Sequence, residues 1–469
     1  MKRLGGWDAV LLYSENPYSH QHTVKAAVID ASASGGAYSF EAFRRTLEGR
    51  LHLLDPLRYR LIDIPLGLHH PMWLENCDVD LDYHARRYHV GGAGDRRVLD
   101  EAIGDIASTP LDRDRPLWEF YFIEGLADDR FAIVGKMHHA LADGLASANL
   151  LARALDVDVP LNNECQASPS DPHPSKAKLV REALADHIDQ IKELPGLLRD
   201  TGAGIRRVRS NRRNVPGLAR SFAPPPTFIN HPVGPRRRFA SASVSLVDIK
   251  ETSKKLGITI NDLVLAIGGG ALRQLQLRYD NRADAPLLCG VPVSTDPSRQ
   301  RISGNALGLI IVSLPVHVDD VLERVRLTAI GAEIGKQNNA LMGRELLSRW
   351  SNYLPPALGT AAFSWLARGG FRNRLVNVSI SNVPGPRVGG RIAGAPMSEL
   401  LSVGPLTFGV GLNITVWSYV DQLTFNVLED GATVADPHEV TDAMVSEFVT
   451  IRQAAGLSPR LTEVSSALV

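Results

Sequence analysis

Short apolar runs at strand spacing alternate with longer stretches at helical spacing, and the alternation occurs in two blocks. In the first block, Val24 to Ile29 reads as a strand, and Phe40 to Leu54 as a helix with Phe43, Leu47, Leu51 and Leu54 on one side. Leu117 to Ile123 and Phe131 to Met137 predict two core strands, with a helix from Val98 to Ala107 ahead of them. From Asp158 to Pro226 the texture changes. Pro, Asn, Ser and Asp cluster between Pro160 and Pro174, and Arg206, Arg207, Arg209, Arg212 and Arg213 follow, so a linker with one or two amphipathic helices is expected. The second block begins at Phe239 to Val247. It continues with helices near Leu263 to Arg278 and Asp319 to Gln337, and with strands at Leu287 to Val293, Leu307 to Leu314 and Val376 to Ile380. A strand pair around Asp421, a turn at Asp430-Gly431 and a helix from Pro437 to Ala455 close the chain. The class is α/β, two lobes of mixed sheet flanked by helices, divided as residues 1–160, a helical basic linker 161–226, and 227–469.

Composition narrows this picture. At 469 residues there is ample material for a core, and 51 Lys plus Arg against 51 Asp plus Glu leaves no global drive toward nucleic acid, which is not an expected partner. Cys77, Cys165 and Cys289 stand far apart without CxxC spacing, which argues against a disulfide framework or a cysteine zinc site. Asp8 and Glu15 interrupt the start before any secretory apolar run, so a cytoplasmic location is expected. The uncharged run Leu400 to Val420 is broken by Gly404, Pro405, Gly409, Gly411 and Asn413, and its second half alternates like a buried strand.

The candidate chemistry lies at the end of the Phe131 strand, in His138-His139-Ala-Leu-Ala-Asp143-Gly144. A neutral imidazole accepts a proton at cellular pH, so one of the two histidines is a candidate general base. Asp143 either orients a ring or holds the turn through an Arg partner, and Gly144 frees the backbone where strand turns to helix. Neighbouring histidines on a strand point to opposite faces and do not readily share one ion, and no bound metal or redox cofactor is expected. His69-His70, followed by Pro71-Met72-Trp73 and no Asp-Gly, reads as structural. Gly268-Gly269-Gly270 lies in a helical pattern and suits close packing better than phosphate binding. Asp78-Val-Asp80-Leu-Asp82 lacks the glycine and glutamate of a calcium loop, and no GxxxxGK[ST], HExxH or GxSxG is present.

His138-His139-x-x-x-Asp143-Gly144 is the HHxxxDG signature of the CoA-dependent acyltransferase superfamily. Within it the chain resembles the bacterial wax ester synthase and acyl-CoA:diacylglycerol acyltransferase family. The resemblance runs through Trp7-Asp8-Ala9 and Glu15, Pro71-Met72-Trp73, Pro116-Leu117-Trp118, Asn261-Asp262, Pro292-Val293-Ser294, Gly304-Asn305, Ser381-Asn382-Val383-Pro384-Gly385-Pro386 and Gly411-Leu412-Asn413. It implies two chloramphenicol-acetyltransferase-like lobes, with His139 as general base, His138 supporting it, and Asp143 structural. It also implies a long-chain acyl-CoA thioester as cosubstrate, diacylglycerol or a fatty alcohol as acceptor, and contact with the inner membrane face or lipid droplets.

For the oxyanion donor, Asn261 is the first candidate and the Ser381-Asn382 turn the second, with Gly144 and Asp262 as supporting positions. Asn261 reads equally well as a helix N-cap, Pro116-Leu117-Trp118 as core packing, and Ser381 to Pro386 as a rigid turn. Taken alone, Trp350 to Trp365 reads as a buried helix and the arginines as a solvated or interlobe face. The family carries an Arg two residues after Pro-Val-Ser, where this chain has Asp296. Arg299 and Arg301 follow, so the role of that Arg is either displaced or lost. The alternatives to acyl transfer onto these acceptors are a non-catalytic acyl-CoA or lipid-binding protein, and transfer to another hydroxyl.

Overall fold

The computed structural model describes residues 1–32, 38–155, 172–211, 213–219, 223–296, 298, 300–365, 375–392 and 395–464. Cys165, Arg212, Arg299 and the expected lobe-to-linker boundary at residue 160 lie outside these. Twelve strands build two six-stranded sheets: β1 (His22–Asp30), β2 (Ala85–His89), β3 (Trp118–Glu124), β4 (Arg130–His138), β5 (Arg237–Ser245), β6 (Leu287–Ser294), β7 (Leu307–Leu314), β8 (Val378–Val383), β9 (Arg391–Ile392), β10 (Ala395–Val403), β11 (Leu412–Tyr419) and β12 (Gln422–Asp430). The helices that matter for the site are α1 (Gly6–Ser14), α2 (Arg96–Ser108), α3 (Gly144–Leu155), α4 (Lys176–Ser210), α5 (Ile260–Tyr279), α6 (Val321–Met342), α7 (Pro356–Trp365) and α8 (His438–Ala454). The first expected helix is shorter than its pattern. It ends at Arg50, and Leu51–Leu53 form a 3-10 turn ahead of Pro56, which disfavours continued α geometry.

The first sheet has the order β9-β10-β1-β4-β3-β2, the second β7-β6-β8-β11-β12-β5. Nearly every residue of β1 and β4 is buried because these strands are central and covered on both faces. By sequence, residues 391–403 belong to the second lobe, yet β9 and β10 complete the first sheet. β10 runs antiparallel to β1, with Ser402 opposite Lys25 and Val403 opposite Val24. The uncharged run from Leu400 is thus shared between two cores: Leu401 and Val403 pack in the first lobe, Leu412, Ile414 and Val416 in the second.

Helix α2 closes the lobes together by packing on the edge strand β5. Gly104 makes this close approach possible, since a Cβ there would stand 3.2 Å from the Arg237 carbonyl. Asp100 accepts from Ser241 N at 2.8 Å and Ser241 Oγ at 2.7 Å, and Arg96 pairs with buried Glu399. The triple glycine of α5 acts in packing: a Cβ on Gly268 would meet Ile380, and one on Gly270 would collide with Glu447.

The described residues of the linker form one 35-residue helix, α4, capped by Ser175 and carrying Pro195 inside. The Trp350 to Trp365 stretch departs from expectation. It splits into two helices, and of α7 only Gly359 is buried, while Leu358 and Trp365 are exposed. The apolar positions of α7 do not converge on one face, so they cannot all be covered by the short contact it makes with α1.

Candidate active site

Strand β4 ends at His138, and six residues later α3 begins. The loop between them is held from three directions. His138 N donates to Leu117 O at 2.9 Å and His139 N to Gln21 O at 2.7 Å, while Asn305 Nδ2 donates to His139 O at 2.7 Å and to Asp8 Oδ1 at 2.7 Å. Gly304 adds a strand-like bridge, donating to Leu141 O at 2.7 Å and accepting from Asp143 N at 3.2 Å. The dispersed motifs Asp8, Pro116-Leu117-Trp118 and Gly304-Asn305 therefore meet here. Trp118 packs in the core as expected, but Leu117 also anchors the first histidine.

Asp143 serves the turn. Its Oδ1 accepts from Leu145 N at 3.1 Å and Ala146 N at 2.9 Å, capping α3, and its Oδ2 takes Arg301 Nη2 at 2.6 Å and Ala306 N at 3.1 Å. In this chain the partner of Asp143 comes from Arg301, five residues beyond Asp296. Asp296 itself stands 3.6 Å from the Arg301 Nε. The Arg301–Asp143 ion pair ties the second lobe's 301–306 segment to the histidine loop of the first.

The two rings have opposite circumstances. Ala140 N donates to His138 Nδ1 at 3.0 Å, which leaves the proton on Nε2, 3.5 Å from Glu15 Oε1. Burial pushes the Glu15 carboxyl up, but the His138 and His22 rings outweigh it and hold it well below the usual carboxylate range. His138 is thereby locked. The His139 ring makes no hydrogen bond to another residue among those described: its Nδ1 is buried beside its own backbone, leaving Nε2 for a substrate. Burial lowers its pKa to about 4. Asp143 opposes that shift, and Lys25 and His138 reinforce it. At neutral pH the ring is therefore an uncharged proton acceptor.

A cavity of about 480 Å³ starts at the first turn of α3. Leu145, Ala148 and Ala152 form one wall, Ala27 and Leu400 the floor, and Trp417 with the loop after β8 the other side. This mostly apolar lining begins one residue beyond Gly144. Its wall depends on Gly385, where a Cβ would fall 1.9 Å from Ser418 O.

The remaining sequence candidates make no hydrogen bond to this loop among the described residues. Thr259, not Asn261, caps α5, because its hydroxyl accepts from Asp262 N at 3.1 Å while Asp262 Oδ2 accepts from Thr259 N at 3.2 Å. Asp262 is thus committed to the cap, and the Asn261 side chain has no hydrogen-bond partner among the described residues. Ser381 and Asn382 lie within β8 and not in a turn, since the parallel pairing to β11 persists to Val383. Ser381, paired with Thr415, shares the face of Trp417, and Asn382 the opposite one. His69-His70 is structural in detail: His70 Nδ1 bonds Tyr13 Oη at 2.7 Å, and His69 bonds Gln190 at 3.0 Å and its neighbour's N–H at 2.8 Å. Lys25 was not foreseen, although a lysine inside the apolar run Val24 to Ile29 was a signal. No group of three or more His, Cys, Asp and Glu side chains able to hold a metal occurs among the described residues.

Two interlocked mixed sheets with a histidine loop held between them define an acyltransferase of the CoA-dependent, HHxxxDG type. The wax ester synthase/diacylglycerol acyltransferase catalytic domain matches residues 4–264, and the WS/DGAT C-terminal domain matches residues 303–452. The chain belongs to the wax ester synthase/diacylglycerol acyltransferase family. A Mycobacterium tuberculosis H37Rv protein provisionally named a diacylglycerol O-acyltransferase is 54% identical over 469 residues, covering 100% of this chain and 99% of its own. A second protein of that strain with the same provisional name is 34% identical over 460 residues, covering 94% of each. The solved wax ester synthase/diacylglycerol acyltransferase from Marinobacter aquaeolei VT8 superposes with a TM-score of 0.69 at 25% identity, over 97% of this chain and 100% of that one. The first condensation domain of the calcium-dependent antibiotic synthetase shares the fold, with a TM-score of 0.59 at 16% identity over 99% of each chain.

Proposed function

We propose that the protein moves a long-chain acyl group from acyl-CoA to diacylglycerol, and to long-chain alcohols as a second acceptor class. The observation that carries this reading is the free, neutral His139 ring in a loop that runs into α3, the helix whose Leu145, Ala148 and Ala152 line an apolar cavity. In the reaction, the acceptor hydroxyl gives its proton to His139 Nε2 as its oxygen attacks the thioester carbonyl. The tetrahedral intermediate carries its negative charge on the former carbonyl oxygen. Its collapse breaks the carbon–sulfur bond, and the departing CoA thiolate recovers the proton from His139. For the oxyanion donor we favour the Gly144 N–H, which no hydrogen bond engages among the described residues and which opens α3, where helical N–H groups favour negative charge.

Lipid substrates require contact with a lipid surface, and the exposed faces of two helices suit it. Leu184, Ile188, Ile191 and Leu198 form an exposed apolar stripe along α4, Arg206 and Arg209 follow at its basic end, and α7 adds Leu358 and Trp365. Among the described residues no single helix is long and apolar enough to cross a membrane. Peripheral binding to anionic vesicles that weakens with salt is the expected result, measured by flotation. The intact Arg301–Asp143 lock and the free His139 weigh against a non-catalytic binder. The test is thiol release from palmitoyl-CoA with diacylglycerol, hexadecanol or no acceptor, followed by product chromatography. Triacylglycerol or wax ester supports the reading, and acyl-CoA binding without either product contradicts it.

A further inference from the structure

Lys25 stands in the middle of β1, 1% exposed, in a run otherwise apolar from Val24 to Ile29. Strand alternation places it with Ala27 and Ile29 on the face covered by α3, where Gly135 opposite it on β4 lets Phe120 and Leu151 pack in. Its Nζ donates to Thr23 Oγ1 at 3.3 Å and to Ser402 Oγ on β10, and lies 5.2 Å from the centre of the Trp417 ring. No carboxylate among the described residues comes within ion-pairing distance of it. A Cβ built on Gly144 would sit 3.9 Å from Nζ, so the ammonium stands directly behind the first residue of α3.

Two positive features thus converge on one dry spot, the start of a helix and an amine without a counter-ion. Burying an unpaired ammonium is unfavourable, and methionine would fill the same volume without that penalty. The arrangement is explained if negative charge arises there during the reaction. We propose that Lys25 is a charge-stabilising residue of acyl transfer, its ammonium held behind Gly144 to favour the oxyanion that forms on the thioester carbonyl oxygen. This rests on the acyl-transfer reading. Lys25 keeps its three protons throughout, while the transferred proton passes from acceptor to His139 to thiolate.

The ionisable groups that face Lys25 are His139 and Asp143 from the β4–α3 loop, the latter already paired with Arg301, while β10 and β11 present Ser402 and Trp417. Burial pulls the Lys25 amine down to about 7, with Asp143 opposing. In the free enzyme, kcat/KM therefore has an acid limb near 4, where His139 becomes protonated, and an alkaline limb near 7, where Lys25 loses its charge.

The experiment measures palmitoyl-CoA:diacylglycerol transfer across pH for wild type and Lys25→Met, with melting temperatures for both. The expected result is a kcat loss on the order of 10²-fold, an acyl-CoA KM within about threefold, and disappearance of the alkaline limb. Lys25→Met should also melt no lower than wild type at pH 7. The gap should narrow toward pH 10, because a lysine with a depressed folded pKa regains stability as pH rises from that value to its ordinary one. A kcat within about threefold of wild type, or a slow variant that keeps the alkaline limb, overturns the role of Lys25 while leaving the acyl-transfer reading standing. If Lys25→Met does not fold, the wild-type profile decides, and the absence of an alkaline limb overturns the proposal. A wild type that transfers acyl groups to no acceptor overturns both.

Discussion

The chain carries two adjacent-histidine pairs, and they differ in what their rings are left to do. At His69-His70 each ring is tied to a neighbour: His70 Nδ1 to Tyr13, and His69 to Gln190 and the pair's own backbone, with His187 of α4 packed against His69. At His138-His139 the first ring is locked between Ala140 and Glu15, and the second hydrogen-bonds to no other residue among those described. His139 is set apart by a ring that bonds to no other described residue, in a loop whose backbone is pinned by Leu117, Gln21, Asn305 and Gly304.

That contrast is broken most directly at His139. His139→Ala should lower acyl transfer by about 10²- to 10⁴-fold, read as thiol release, with little change in melting temperature, because its ring supports nothing else. The next largest effect belongs to Arg301. Arg301→Ala leaves the Asp143 carboxylate buried without its partner, and should cost about 3–5 kcal/mol in urea unfolding along with most of the activity. Asp296→Ala removes only the outer, half-exposed partner of Arg301 and should cost less than about 1 kcal/mol.

Glu15 sharpens the comparison through pH. Its folded carboxyl titrates below the ordinary value, so its contribution is present above about pH 4.3 and is lost as pH falls through the folded value. Glu15→Gln should therefore flatten the acid side of the stability curve, followed by denaturant midpoints between pH 3 and 7. The smallest effect is expected at the other pair. Tyr13→Phe removes one buried hydrogen bond to His70 and should cost about 1 kcal/mol with turnover unchanged.

Much of this was legible in the residues. Periodicity located most strands of both sheets to within a few positions, with Leu307–Leu314 matching its pattern end to end, but it missed Ala85–His89, Arg391–Ile392 and Ala395–Val403. The histidine loop and the structural role of Asp143 followed from the motif. Long-range partners were less accessible. Nothing local in Ala395–Val403 says that it will pair with β1, from the far end of the chain, since an apolar strand fits either sheet.

The same limit separated Asp143 from Arg301, which compete with Arg299 for one role until the fold brings Arg301 to the carboxylate. Asn261 was misread because Thr259, two residues earlier, offers the better cap geometry together with Asp262. Ser381 and Asn382 were read as a turn from the prolines after them, but parallel pairing with β11 carries the strand to Val383. The exposure of α7 was hidden because apolar composition alone does not say which faces find partners.

The measurement that tests the central claim most directly incubates labelled palmitoyl-CoA and diacylglycerol with wild type, His139→Ala and His70→Ala, and follows label into triacylglycerol. Label in the products of wild type and His70→Ala, and its near absence with His139→Ala at equal folded protein, is the predicted result. Equal label from all three, or loss with His70→Ala alone, would contradict the assignment of His139 as the base.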